Sequence, residues 1–178
     1  PYYCIPRSKR SIMRIKLIYG SDTGNTEIVT EDIKKLLNNI EVTTVSDLTS
    51  EDWDHDRFIL GIPTWYDGEL QSDWEDYFEE FKTIDFTDKT VAIFGLGDQI
   101  GYEEWFCDGI GILAEVILKN GGKVIGYTDK DESYDFDTTP KSIIKGDIFY
   151  GLCLDEDNQD ELTQERLGKW VEQLKLEF

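Results

Sequence analysis

Residues 20–26 read Gly-Ser-Asp-Thr-Gly-Asn-Thr and follow a short apolar run, Ile-Lys-Leu-Ile-Tyr at 15–19. A helix-period apolar pattern starts at Ile28. A strand that ends in glycines and hydroxyl residues, then opens a helix, offers an anion the free N–H groups and positive end of that helix. The loop holds no Lys or Arg. Nucleoside triphosphate loops place a Lys and a metal-holding Ser/Thr after their glycines. Here backbone amides and the hydroxyls of Ser21, Thr23 and Thr26 must act alone. That suits the terminal phosphate of a bound cofactor rather than a phosphoryl group in transfer.

Two further segments carry flat side chains next to glycines. Pro-Thr-Trp-Tyr-Asp-Gly-Glu-Leu (63–70) puts Trp65 directly after an apolar strand, on an expected loop. Gly-Leu-Gly-Asp-Gln-Ile-Gly-Tyr (95–102) ends on Tyr102. A lone loop aromatic is ordinarily packing. Two of them beside a phosphate loop point to a flat ring whose faces Trp65 and Tyr102 would bury. The glycines let the backbone approach that ring's edge.

These segments need elements to hold them. Apolar runs predict strands at 14–19, 42–45, 57–62, 90–95, 123–127 and 148–154, several of them continuous enough to be covered on both faces. Helical spacing predicts helices over 26–38, 72–81, 104–120 and 163–176, with a Ser72-x-x-Glu75 capping box opening the second. Trp74, Phe78 and Trp170 are expected in the core. Strand–helix alternation implies an α/β fold, a doubly wound parallel sheet with helices on both faces. Ligands then bind beyond the carboxyl ends of the strands, where the strand order reverses. The segments after strands one, three and four are the three just described.

Composition narrows the class. The 178 residues suffice for one domain, and no run approaches the ~20 apolar residues of a membrane-spanning helix. Cys4, Cys107 and Cys153 are odd in number and form no CxxC pair, which excludes a disulfide framework or zinc site and implies a reducing compartment. Net charge is −20, with Arg7, Lys9, Arg10 and Arg14 gathered at the front. Such a surface repels nucleic acid and anionic membranes and attracts basic protein partners. Residues 1–12 are basic and acid-free, so they are set apart as an extension; residues 13–178 are expected to form the single domain. A transit-peptide remnant is the alternative origin of residues 1–12, and would imply a plastid instead of the cytoplasm.

The chain resembles the long-chain flavodoxin family. The resemblance rests on Gly-Ser-Asp-Thr-Gly-Asn-Thr-Glu (20–27), Pro-Thr-Trp-x-x-Gly-Glu-Leu-Gln-x-x-Trp (63–74), Gly-x-Gly-Asp-Gln-x-Gly-Tyr (95–102) and Leu-Asp-Glu-Asp-Asn-Gln (154–159), in the family's order and spacing. It implies a five-stranded parallel sheet whose fifth strand is interrupted by an insertion, here 128–147. That insertion is acidic, but a calcium loop from Asp129 would need Gly where Tyr134 stands and Glu where Pro140 stands.

The resemblance further implies non-covalently bound FMN. Ser21, Asp22, Thr23, Gly24, Asn25 and Thr26 would hold its phosphate. Pro63, Thr64, Trp65, Tyr66, Asp67 and Gly68 would line the ring on one side, the Tyr66–Asp67 peptide turning a carbonyl toward flavin N5 on reduction. Leu96, Gly97 and Asp98 would meet the pyrimidine edge, Tyr102 would stack, and Asp157 would lie near the ribityl chain. The implied function is low-potential electron transfer as a monomer, between a flavodoxin or ferredoxin reductase and redox acceptors with basic docking faces. An FMN-dependent NAD(P)H:quinone oxidoreductase on the same fold is the alternative; it needs room for nicotinamide over a flavin that Trp65 and Tyr102 would cover. A receiver-like signalling module would need an acidic cluster after strand one and a phosphorylatable Asp after strand three, and residues 20–26 and 63–66 supply neither.

Overall fold

The computed structural model describes residues 14–178, so the basic extension expected at 1–12 lies outside the described residues. In chain order the elements are β1 (Ile15–Tyr19), α1 (Asn25–Leu36), β2 (Ile40–Thr44), β3 (Arg57–Trp65), β4 (Glu69–Leu70), α2 (Ser72–Phe81), β5 (Thr90–Leu96), α3 (Asp108–Lys119), β6 (Lys123–Ile125), β7 (Thr128–Asp129), β8 (Ile143–Lys145), β9 (Ile148–Phe149), β10 (Leu152–Leu154) and α4 (Asp160–Glu177).

The main sheet runs β2-β1-β3-β5, with its last position shared by β6 and β10. Thr90–Ala92 of β5 pairs with β6, and Phe94–Leu96 pairs with β10, all in parallel. The fifth strand is therefore interrupted, as expected, but more widely: residues 126–151 separate its halves. The apolar run 148–154 is not one strand. Ile148–Phe149 joins β7 and β8 in a separate antiparallel sheet, and only Leu152–Leu154 returns to the main one. Reversal of strand order around β1 opens the crevice between β1 and β3 at their carboxyl ends.

Strand side chains alternate between two cores. Ile18, Leu60, Ile62, Val91 and Ile93 face Trp74 and Phe81 of α2 and Ile110, Leu113 and Ile117 of α3. Leu17, Ile59, Ala92 and Phe94 face Val29 and Ile33 of α1 and Leu167, Trp170 and Leu174 of α4. Trp74 and Trp170 are buried and each donates its indole N–H to a backbone carbonyl, of Gly61 and Gly126. Phe78 is only half-buried.

Three local expectations need correction. β3 continues through Trp65, and Thr64–Trp65 pairs antiparallel with β4, so 63–70 is a hairpin rather than a loop. The helix expected from 104 starts at Asp108; a 3-10 turn at Glu103–Trp105 precedes it, and Cys107 at φ +56° breaks the helical path. The Ser72-x-x-Glu75 box is not used, because Gln71 is the N-cap and accepts from Trp74 N–H.

A lysine is buried among the strands. Lys16 on β1 is buried, with Nζ 2.6 Å from Asp52 and 2.8 Å from Glu41. His55 is half-buried beside Glu41. Burial alone would lower the Lys16 pKa, but the hydrogen bonds it donates to its two acids outweigh that and raise it. Contact with Lys16 holds Glu41 below the usual carboxylate range. At Asp52 burial works upward, and bonds from Lys16 and Thr49 overcome it. Depressed folded-state pKa values stabilise the fold above the unfolded carboxylate range, near 4. That stability is lost as pH falls through the lower folded values. Lys16→Ala is expected to lower unfolding free energy by roughly 2–3 kcal/mol at neutral pH, less than for a fully enclosed pair because Glu41 is half exposed. The loss should shrink toward pH 3, as read by urea unfolding at both pH values.

Candidate functional site

The carboxyl ends of β1, β3 and β5 and the segment after β10 converge on one cleft of about 650 Å³, counting its open mouth.

The first wall is 21–26. Gly24 sits at φ +92° and begins α1 with no side chain capping it. Its N–H donates to Ser21 Oγ at 3.0 Å, and the first helical bond is Ile28 N–H to Gly24 O. The amides of Asn25, Thr26 and Glu27 therefore have no intrahelical acceptor. They stand at the positive end of the helix.

A clamp from α2 fixes this loop. Gln71 is fully buried; its Nε2 donates to Asp22 Oδ1 at 2.9 Å, and Ser72 Oγ donates to the same oxygen at 2.8 Å. Burial would raise the Asp22 pKa, but these bonds outweigh it and lower it, so the acceptor stays ionised. Glycine is required at position 20, since a Cβ there would lie 1.9 Å from Gln71 Oε1.

The second wall is the β3–β4 hairpin. Trp65 Nε1 is buried and makes no hydrogen bond of normal geometry among the described residues, though it lies close enough to the Asp22 carboxylate to help lower that group's pKa. Tyr66 adopts φ +42°, rare for a bulky side chain, is 59% exposed and meets Tyr102 edge-on at 5.9 Å between centroids.

The third wall is 96–102, shaped from beneath. Asp98 Oδ1 accepts from Ile100 N–H, Gly101 N–H and Asn158 Nδ2. Burial pushes the Asp98 pKa up and these donors bring it below normal. Asp155, fully buried, accepts from Gln99 N–H and Nε2 and from Asn158. Asp157 is raised by burial and by the nearby charges of Asp98 and Asp155.

The structure brings together most of the residues singled out from the sequence. Ser21, Asp22, Thr23, Asn25, Thr26, Pro63, Thr64, Trp65, Tyr66, Leu96, Gly97, Asp98, Tyr102 and Asp157 line the cleft. Gly24, Asp67 and Gly68 do not. Gly24 acts one step back by shaping the helix start, and Asp67 and Gly68 form the tip of a hairpin in which Gly68 N–H donates to Tyr66 O at 2.9 Å. Glu156 lines the cleft and was not anticipated.

Comparison with known proteins supplies the family. The family profile described as flavodoxin matches residues 17–170. A flavodoxin of Nostoc sp. is 48% identical over 169 residues, covering 93% of this chain and 97% of the relative. One from Haemophilus influenzae is 45% identical over 163 residues, covering 90% and 92%. The chain belongs to the flavodoxin family. Among solved structures, a Fusobacterium nucleatum flavodoxin bound to flavin mononucleotide superposes with a TM-score of 0.86 at 36% identity, over 93% of this chain and 98% of that one.

Charge divides this family member into two poles. Segments 20–27, 65–76, 96–108 and 155–161, which surround the cleft, contain no Lys, Arg or His. Cations gather at the opposite end: Lys34, Lys35, Lys119 and Lys175 in final helical turns, and Arg57, Lys89 and Lys123 at or beside strand starts. Among the described residues no helix is long and apolar enough to cross a membrane. The supporting residues Gln71, Gln99, Asp155 and Asn158 fall inside the sequence motifs, but nothing in their spacing marks them as buried braces. Gln71→Leu is expected to remove one of the two side-chain donors to Asp22 and the acceptor of the Trp74 amide, costing about 1–3 kcal/mol in a urea titration.

Proposed function

We propose that this chain is a one-electron carrier that binds FMN non-covalently in the cleft, with the phosphate at α1. What supports this is the buried Trp65 indole N–H, which has only the Asp22 carboxylate near it and no hydrogen bond of normal geometry, in the same cleft as a helix start whose amides have no intrahelical acceptor. A buried donor without a bond of normal geometry, beside helix-start amides open to the cleft, suits an anionic ligand. Bound FMN supplies the redox chemistry, and the protein supplies position and field.

In this reading the amides of Asn25 and Thr26 and the hydroxyls of Ser21, Thr23 and Thr26 hold the phosphate, and Trp65 adds its N–H. Trp65 and Tyr102 cover the ring faces and exclude water. The 96–98 backbone hydrogen-bonds the ring's polar edge, and Asp157 and Glu156 lie by the ribityl chain. A single acid 12 Å away costs added negative charge only about 0.3 kcal/mol in water. Several acids acting together through low dielectric reach a few kcal/mol. That separates the two one-electron potentials by about 100–200 mV.

The partners we infer are a flavodoxin or ferredoxin reductase and low-potential acceptors whose basic faces meet the acidic pole, with association rates that fall as salt rises. We infer a cytoplasmic monomer. Apoprotein titrated with FMN should quench the flavin fluorescence at micromolar concentration; unchanged emission overturns the reading. Trp65→Phe keeps an aromatic face and loses the N–H, and is expected to weaken FMN about tenfold, the worth of one hydrogen bond to a charged group. NADPH added alone should leave the flavin colour unchanged. Rapid bleaching would favour the quinone oxidoreductase.

A further inference from the structure

The hairpin carrying Trp65 and Tyr66 leaves the main sheet at Thr64 and returns at Glu69. Little in its own sequence holds it still. Its tip has one backbone bond, Gly68 N–H to Tyr66 O, and Tyr66 is strained and exposed. Beneath it lies the first turn of α3, which the function described so far does not use.

That turn touches both ends of the tip. Gly109 N–H donates to Thr64 Oγ1 at 2.9 Å. Asp108 is 2% exposed, a rare place for a carboxylate. Its Oδ1 accepts from Lys141 N–H, in the insertion, at 2.7 Å. Its Oδ2 lies against Gly68 so closely that a Cβ added there would stand 2.9 Å away, with Trp105 at 3.0 Å on the other side. Gly68 at φ +85° thus meets two demands together: a backbone angle that L side chains rarely adopt, and a floor with no room for a side chain.

Burial of Asp108 raises its pKa, and the bond from Lys141 N–H and the Lys141 charge pull the other way without cancelling it. A carboxyl kept in such a place, with one oxygen bonded to a distant segment and the other packed against the hairpin tip, acts as a spacer. Only a side chain of this shape fills the gap while satisfying the Lys141 amide.

We propose, on the footing of the FMN reading above, that Asp108 is a positioning residue: it seats the Thr64–Gly68 segment and ties it to the insertion, so that Trp65 and Tyr66 are held in place for the flavin. Its contribution is shape and hydrogen bonding, not charge. The two have opposite signs. Removing an anion near a phosphate-bearing ligand would by itself tighten binding. Removing a seat loosens it.

The test compares Asp108→Ala with Asp108→Asn, which keeps the shape and the Oδ1 acceptor but not the charge. In the apoprotein, amide hydrogen exchange at Gly68 and Lys141 should quicken together in Asp108→Ala, with α4 amides unchanged, and return to wild-type rates in Asp108→Asn. With FMN, Asp108→Ala should raise Kd about tenfold and alter the separation of the two reduction potentials; Asp108→Asn should stay within about twofold in Kd. Should Asp108→Ala fail to fold, Asp108→Ser, too short to reach Gly68, carries the same expectations. Wild-type exchange at Gly68 in the truncated variant, or binding as tight as wild type, overturns the proposal. Tighter binding in both variants would assign the residue a purely electrostatic effect and also overturn it. Failure of the wild-type protein to bind FMN would instead overturn the cofactor reading, and the apoprotein exchange would still judge Asp108.

Discussion

Helix α1 begins without a side-chain cap, in a chain whose net charge is −20. Any anion bound there is held with no cation to help. The helix end contributes about 0.3–1 kcal/mol, and each hydrogen bond to a charged group about 1.5–3 kcal/mol. Several donors must therefore converge on one point, and their geometry decides the outcome. This need for placement accounts for features that would otherwise look unrelated. Gly24 turns the chain so that the amides face the cleft, Gln71 and Ser72 pin Asp22, and Gly20 leaves room for the pin.

The same logic governs the other walls. Buried polar groups are costly when half satisfied and rigid when fully paired. Asp155 accepts several hydrogen bonds from Gln99, Asn158 and the Asp157 amide, and Gln99 passes on to the Asp135 amide in the insertion. The 96–102 loop is consequently shaped from within, before any ligand arrives. Its glycines supply freedom and the network removes it.

Fold and site were legible in the sequence to different depths. Ser21, Asp22, Thr23, Asn25, Thr26, Trp65 and Tyr102 stood out by residue type, and the structure brings them to one cleft. Apolar runs gave the sheet, since strands covered on both faces read continuously. The same continuity hid a break: Ile-Phe-Tyr-Gly-Leu-Cys-Leu offers no polar mark where the chain leaves one sheet for another. Ser72 and Glu75 carried the right spacing for a capping box, yet Gln71 took the cap, because the Ser72 hydroxyl is spent on Asp22, fifty residues away. Asp108 read as an ordinary first-turn acid. Long-range partners of this kind leave no periodic trace, which is why bracing residues escaped where lining residues did not.

The interrupted fifth strand has a consequence beyond the cleft. It forms one border of the main sheet, and a parallel sheet with a long bare border invites another chain to extend its ladder. Here that border is two three-residue pieces with the insertion between them. Neither piece is long enough to template a neighbour, and the small antiparallel sheet intervenes between them in the chain. A protein crowded among copies of itself would thus be protected from edge-on polymerisation by the very discontinuity that lengthens its chain.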